Sequence, residues 1–148
     1  MGKPSAGISL ITLGVLDLEK SLSFYSALGW ADTRHSQESV KFLAGHNVVL
    51  GLFGRGPLAE DAKVEDKPTG FAAIALAVNL PTAQAVDAYF NRAIAAGASV
   101  CKKPEKVFWG GYSGYFADPD GHLWEVAHNP YFALDEYGKL DLQNEGVQ

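Results

Sequence analysis

An α+β fold is predicted from three features of this chain. Two segments have helical periodicity, short β-branched runs surround each of them, and the order β-α-β-β-β occurs twice. The expected architecture is two βαβββ repeats forming a curved mixed sheet around a cleft, with the helices on the outer face. The 148 residues are 47% apolar and 20% charged, which suits one folded domain and argues against a disordered chain. A single domain is expected over residues 1–148: repeat one at about 8–54, a linker at 55–70, repeat two at about 71–128, and a tail at 129–148.

Ile8 to Val15 is rich in β-branched residues and reads as the first strand. Asp17 follows as a helix N-cap. Leu18, Leu22, Tyr25 and Leu28 then fall on one helix face, and Gly29 stands where a helix-ending glycine belongs. Trp30 to Thr33, Val40 to Ala44 and Val48 to Phe53 supply three more strands, the last after the turn Gly45-His46-Asn47. Gly54 to Gly70 has no clear period and is charged and punctuated by Gly and Pro, so it reads as a surface connector or a lid. The pattern then restarts. Phe71 to Val78 reads as a strand and Thr82 as an N-cap. Val86, Tyr89, Phe90, Ala93 and Ile94 mark a helix face that Gly97 closes. A strand begins at Val100-Cys101 and another runs from Gly114 to Ala117. Asp118-Pro119-Asp120-Gly121 is a strong turn signal, and His122 to Ala127 is the last strand. Val15 and Val78 both end a first strand, which sets the repeat offset at 63. The tail carries Tyr131, Phe132, Leu134 and Tyr137, aromatic and aliphatic enough to pack back on the domain or on a second chain.

The net charge of −5 lacks the basic face that nucleic acid or an anionic membrane requires. No apolar run reaches the ~18–20 residues of a membrane helix, and the polar start at Met1 carries no export signal. A single cysteine, Cys101, precludes an internal disulfide and a cysteine-built zinc site. A cytoplasmic protein is expected.

Two stretches carry a family resemblance. Ile11 to Trp30 (ITLGVLDLEKSLSFYSALGW) resembles the opening strand and helix of the vicinal oxygen chelate superfamily, which holds glyoxalases, bleomycin-resistance proteins and extradiol dioxygenases. Gly114 to Val126 (GYFADPDGHLWEV) is similar to its closing hairpin. The resemblance spans about residues 8 to 128. It implies a divalent metal held by His, Gln or Glu on the first and last strands of each half. Carried onto this chain, those positions are Leu10, Ala73, about Gly51, and Glu125. Leu and Ala have no donor atom and Gly offers only backbone, so one carboxylate remains, too few for a catalytic transition metal. His122 and His128 point away from Glu125 by strand parity, His46 sits in a turn and His35 in a loop, and all four read as surface or capping residues. No metal and no cofactor are expected.

If those four positions mark the cleft, alternation adds Ile8, Thr12, Gly14, Val49, Phe53, Phe71, Ala75, Ala77, Leu123 and Ala127 to that face. The opposite face holds Ile11, Leu13, Val15, Leu50, Leu52, Ile74, Leu76, Val78, Trp124 and Val126, bulky enough to lie under the helices. The cleft set is small and apolar, which leaves room for a ligand. The alternative is that Trp109, Tyr112, the linker or the tail fills it. Val107 to Tyr115 is the most aromatic segment, placed to sandwich a planar ligand or to seal the cleft. The expected ligand-binding residues are Leu10, Thr12, Phe53, Ala73, Ala75, Trp109, Tyr112, Tyr115, Leu123 and Glu125. Glu125 is the candidate catalytic residue, and otherwise a ligand anchor or a structural acid.

Three functions stay open. The first is a metal-free small-molecule-binding protein of the glyoxalase/bleomycin-resistance type with an apolar or aromatic ligand. The second is a metal-independent lyase or isomerase using Glu125 as general acid and base. The third is a metal-dependent glyoxalase or dioxygenase, disfavoured by Leu10 and Ala73. The resemblance also implies a homodimer.

Overall fold

The computed structural model describes residues 6–67 and 70–145. The expectations for Met1 to Ser5, for Pro68 and Thr69 in the linker, and for the last three residues of the tail lie outside these residues. In the first repeat, β1 (Leu10–Val15) leads into α1 (Leu18–Ala27), followed by β2 (Ala31–Asp32), β3 (Val40–Ala44) and β4 (Val49–Gly54). The strands form a sheet ordered β1-β4-β3-β2, with β1 parallel to β4 and the other pairs antiparallel. The second repeat is β5 (Leu76–Asn79), α3 (Ala83–Ala95), β6 (Ser99–Lys106), β7 (Tyr112–Ala117) and β8 (Leu123–His128), in a sheet ordered β5-β8-β7-β6. Both helices start on the expected caps. The Asp17 carboxylate accepts from the Lys20 N–H at 3.0 Å and the Thr82 hydroxyl from the Ala85 N–H at 3.0 Å. Gly29 and Gly97, at φ +97° and +119°, turn the chain just past each helix in a conformation that would strain any side chain.

Three local expectations are corrected, and the tail gains a secondary structure of its own. The connector contains a helix, α2 (Arg55–Ala62), absent from the sequence reading because it has no apolar stripe. It is a polar helix with Pro57 in its first turn, where a missing N–H costs nothing, and it ends on Lys63 in the left-handed region. Phe71 to Ala75 is not strand. Ala73 sits at φ +59°, which breaks the extended run, and Ile74 is 67% exposed rather than under a helix. The repeat offset is 65, not 63. Thr82 follows Asp17 by 65 positions, and Ala77, opposite Glu125, follows Thr12, opposite Gly51, by the same interval. The tail folds as an antiparallel hairpin, β9 (Phe132–Leu134) with β10 (Leu140–Glu145). No helix among the described residues is long and apolar enough to cross a membrane.

Leu13, Val15, Leu50 and Leu52 of the first sheet and Trp124 and Val126 of the second are buried on the helix-covered faces, as their parity requires. These faces merge into one core. Phe24 on α1 packs against Phe116 at 6.2 Å between ring centres, and Tyr25 against Trp124 at 5.9 Å. The fully buried positions of α1 are therefore Ser21, Phe24 and Tyr25, while Leu18, Leu22 and Leu28 pack at its margin. The stripe is rotated from the expected one because α1 meets the other repeat as well as its own sheet.

That meeting is built on the Asp118-Pro119-Asp120-Gly121 turn between β7 and β8. The buried Tyr25 hydroxyl donates to Asp118 Oδ2 at 2.6 Å and accepts from Trp124 Nε1 at 3.0 Å. Asp118 Oδ1 accepts from the N–H groups of Asp120 and His122, both at 2.8 Å. Asp120 reaches across to the Leu16 N–H at 2.9 Å and the Ser21 hydroxyl at 3.2 Å. His122 Nε2 lies 2.8 Å from the Gly14 carbonyl. Every polar group in this junction is paired, as burial demands.

Tyr25→Phe leaves a buried indole N–H and a buried carboxylate each short of a partner, and is expected to cost about 1.5–3 kcal/mol, read from the urea midpoint. Asp118→Ala, which orphans three donors, is expected to cost more; equal stability to the parent would disprove the junction's role. Burial, then the charge of Asp118, pushes the Tyr25 phenol above its ordinary value of 10, and burial pushes Tyr89 up to about 12. Both phenols ionise near pH 10 when unfolded and resist ionisation when folded. Stability is thus full below pH 10 and falls as pH rises from 10 through 12. Circular dichroism against pH is expected to show alkaline unfolding in that window, with the midpoint moved upward in Tyr89→Phe.

Candidate functional site

Because the helix-covered faces of the two repeats share one core, the opposite faces of the two sheets point away from each other. The small residues foreseen in one cleft are therefore divided between two surfaces. On the second sheet, the pleat puts Ser113 and Tyr115 of β7 and Leu123, Glu125 and Ala127 of β8 on the open side. Tyr115 is directly across from Glu125, and Ala77 of β5 flanks Glu125 on the other side, where its small side chain leaves the carboxylate uncovered. Glu125 is partly buried, not enclosed. Burial, and then the negative charge of Glu125, raises the Tyr115 phenol above its ordinary range, so it is held protonated beside the carboxylate.

A concavity of about 280 Å³ opens over Glu125 and Tyr115, walled by Lys102, Lys106, Phe108 and Trp109. The turn from β6 to β7 shapes this wall, with the Gly110 N–H bonded to the Val107 carbonyl and the Val107 N–H to the Gly111 carbonyl, each at 3.0 Å. The Trp109 ring packs against Gly111, where a Cβ atom would stand 1.7 Å from the ring. Phe108 projects fully into solvent. Lys102 pairs with Glu105 at 3.3 Å, and no ion pair to Glu125 occurs among the described residues. Lys102, Glu105 and Lys106 were missed because the run Lys102-Lys103-Pro104-Glu105-Lys106 looks like the continuation of a strand. It is instead the irregular second half of β6, with register shifts on either side of Lys102. Its signal in the sequence is its position directly before the aromatic segment.

Of the ten expected ligand residues, Trp109, Tyr115 and Glu125 line this concavity together. Leu123 is on the same face. Tyr112 is not. It shares parity with the buried Phe116, faces α3 and donates to Asp87 at 2.7 Å, a bond that raises its phenol. Ala73 is off the sheet altogether, and Ala75 lies before β5 on the margin of a different cavity. Leu10, Thr12 and Phe53 lie on the open face of the first sheet, which is partly filled from within. A Cβ at Gly51 would meet Thr12 Oγ1 at 3.0 Å and Leu10 Cδ1 at 3.2 Å, and Leu58 of α2 lies over Gly14. The linker thus covers one end of that face.

The metal-ligand places fit no metal. With the offset corrected, the counterpart of Leu10 is Ala75, as donor-free as Ala73. Glu125 and Gly51 complete the set. Among the described residues, no three His, Cys, Asp or Glu side chains come together. Two histidines bond backbone: His122 to the Gly14 carbonyl and His128 Nδ1 to the Leu80 carbonyl at 3.1 Å.

Comparison with known proteins agrees with this architecture. A structure of a glyoxalase-related enzyme from Fulvimarina pelagi superposes with a TM-score of 0.83 at 33% identity, over 91% of this chain and 96% of that one. A glyoxalase/bleomycin resistance protein/dioxygenase family enzyme from Burkholderia phytofirmans PsJN shares the fold at a TM-score of 0.75 and 21% identity, over 83% and 98% of the two chains. In sequence the chain is 28% identical to metallothiol transferase FosB of Shouchella clausii, over 94% of this chain and 97% of that protein. The profile of the family matches residues 7–126, and the chain belongs to the Glyoxalase/Bleomycin resistance protein/Dioxygenase superfamily.

Proposed function

We propose that this member of the superfamily binds a small apolar or aromatic molecule over Glu125 without a transition metal, in a site completed by a second copy of the chain. The observation that carries the reading is the outward-facing concavity of the second sheet. It has an acid on its floor, aromatic rings on one side, and an open mouth. The open face of the first sheet, with Leu10 43% exposed and Val49 36% exposed, is the apolar surface available in a partner copy to face it. The relative named metallothiol transferase points toward metal and thiol chemistry. Leu10 and Ala75 withhold the donors that a metal would need here, so that chemistry is not carried over. The free, exposed thiol of Cys101 suits a reducing compartment such as the cytoplasm.

A second reading rests on Tyr115. A protonated phenol directly across the strand pair from a carboxylate is a proton donor beside a proton acceptor, which supports a metal-independent lyase or isomerase with Glu125 as the base. The two readings share a site and differ in one measurement. Glu125→Gln abolishes turnover of a substrate if the acid transfers protons, and changes only the affinity if it anchors a ligand.

Sedimentation equilibrium at micromolar concentration is expected to give twice the 15.8 kDa chain mass. A monomer under those conditions would overturn the shared site. Elemental analysis of protein purified without chelator is expected to show no stoichiometric transition metal. One metal per chain that disappears in Glu125→Gln would overturn the metal-free assignment.

A further inference from the structure

A second and larger cavity, of about 1000 Å³, lies between the two repeats. It is at the upper end of the ~300–1,000 Å³ range of small-molecule sites. Its walls are Trp30, Leu28 and Leu50 from the first repeat and Trp124, Leu76 and Tyr89 from the second. The turn of the β9–β10 hairpin lies against the cavity, with Tyr137 beside His46 at 6.2 Å between ring centres. This cavity shares no lining residue with the concavity over Glu125.

Its electrostatics differ from the rest of the protein. The chain carries five more acids than bases, yet among the described residues the lining contains no Asp or Glu. Its charged and titratable members are Lys139 and His46, together with the phenols of Tyr89 and Tyr137. In the hairpin, Asp135 accepts from the N–H groups of Tyr137 and Lys139 at 2.8 and 2.9 Å, and Asp135, Glu136 and Asp141 all stand outside the cavity lining. The exposed Lys139 ammonium has no ion pair among the described residues. An open, mainly apolar cavity whose lining carries one lysine and no carboxylate matches a molecule with a hydrophobic body and one negative head.

We infer that the inter-repeat cavity is a second binding site, for an amphiphilic monocarboxylate. The hydrocarbon or aromatic body lies along Trp30, Leu28 and Leu76, and the carboxylate meets Lys139. The hairpin acts as the roof that places that lysine. This site does not depend on the reading given to Glu125.

Isothermal titration calorimetry on the full chain tests it with dodecanoate and, as the uncharged control, dodecanol. The parent protein is expected to bind both, dodecanoate more tightly. Lys139→Glu is an exposed change that leaves the fold intact, and it is expected to weaken dodecanoate by roughly tenfold or more while leaving dodecanol unchanged. Glu125→Gln is expected to alter neither. The inference fails if the parent binds neither probe, if Lys139→Glu weakens both equally or neither, or if Glu125→Gln removes the binding and so places the probes in the other concavity.

Discussion

The buried hydrogen bond from Tyr25 to Asp118 is the constraint on which the arrangement of this molecule depends. Asp118 serves two structures at once. One oxygen closes the turn between β7 and β8 through two backbone N–H groups, and the other receives the phenol of a helix in the opposite repeat. With Trp124 donating to the same buried phenol and Asp120 reaching the start of α1 at the margin of the core, the turn is tied to the first repeat at several points. Neither repeat could bury its helix-covered face alone, and the junction determines how the two faces meet.

The site follows from that junction. Turning the helix-covered faces toward each other forces the small-residue faces outward, so Glu125 and Tyr115 share a wall with Trp109 but not with Leu10, Thr12 or Phe53. The same geometry leaves a gap where the apolar faces diverge, and the C-terminal hairpin lies over it. The two concavities differ in character. The outer one combines charges of both signs with aromatic rings, whereas the inner one is apolar with a cation at its edge. Glycine has a different role in each part of the outer faces. At Gly51 it admits the side chains of Leu10 and Thr12, and at Gly111 it admits the ring of Trp109.

Much of the fold was legible because local chemistry decides it. Asp17 and Thr82 cap helices through their own side chains, and the alternation along Leu50–Phe53 and Leu123–Val126 assigns faces wherever strands are regular. Legibility failed where local signals were weak or were overridden. The polar α2 has no stripe to read. Ala73 adopts a left-handed backbone that alanine does not announce, so the strand expected from Phe71 begins only at Leu76. Tyr112 was misplaced because the aromatic segment was taken as one surface, although successive residues of β7 point to opposite sides. Glu125 and Tyr115 were found because both follow the parity of regular strands.

The sequence by itself determined the βαβββ repeats, their caps, the inward faces of the regular strands, and the absence of metal donors at Leu10 and Ala73. These are properties of single residues and of periods two and 3.6. Only the tertiary structure decided which faces look toward each other, that Ser21 and Tyr25 belong to an inter-repeat junction, and that residues as distant as Trp30 and Lys139 border one cavity. Such relations depend on the packing of side chains far apart in the chain, above all on the partner that the buried carboxylate of Asp118 finds, and no local pattern encodes that choice.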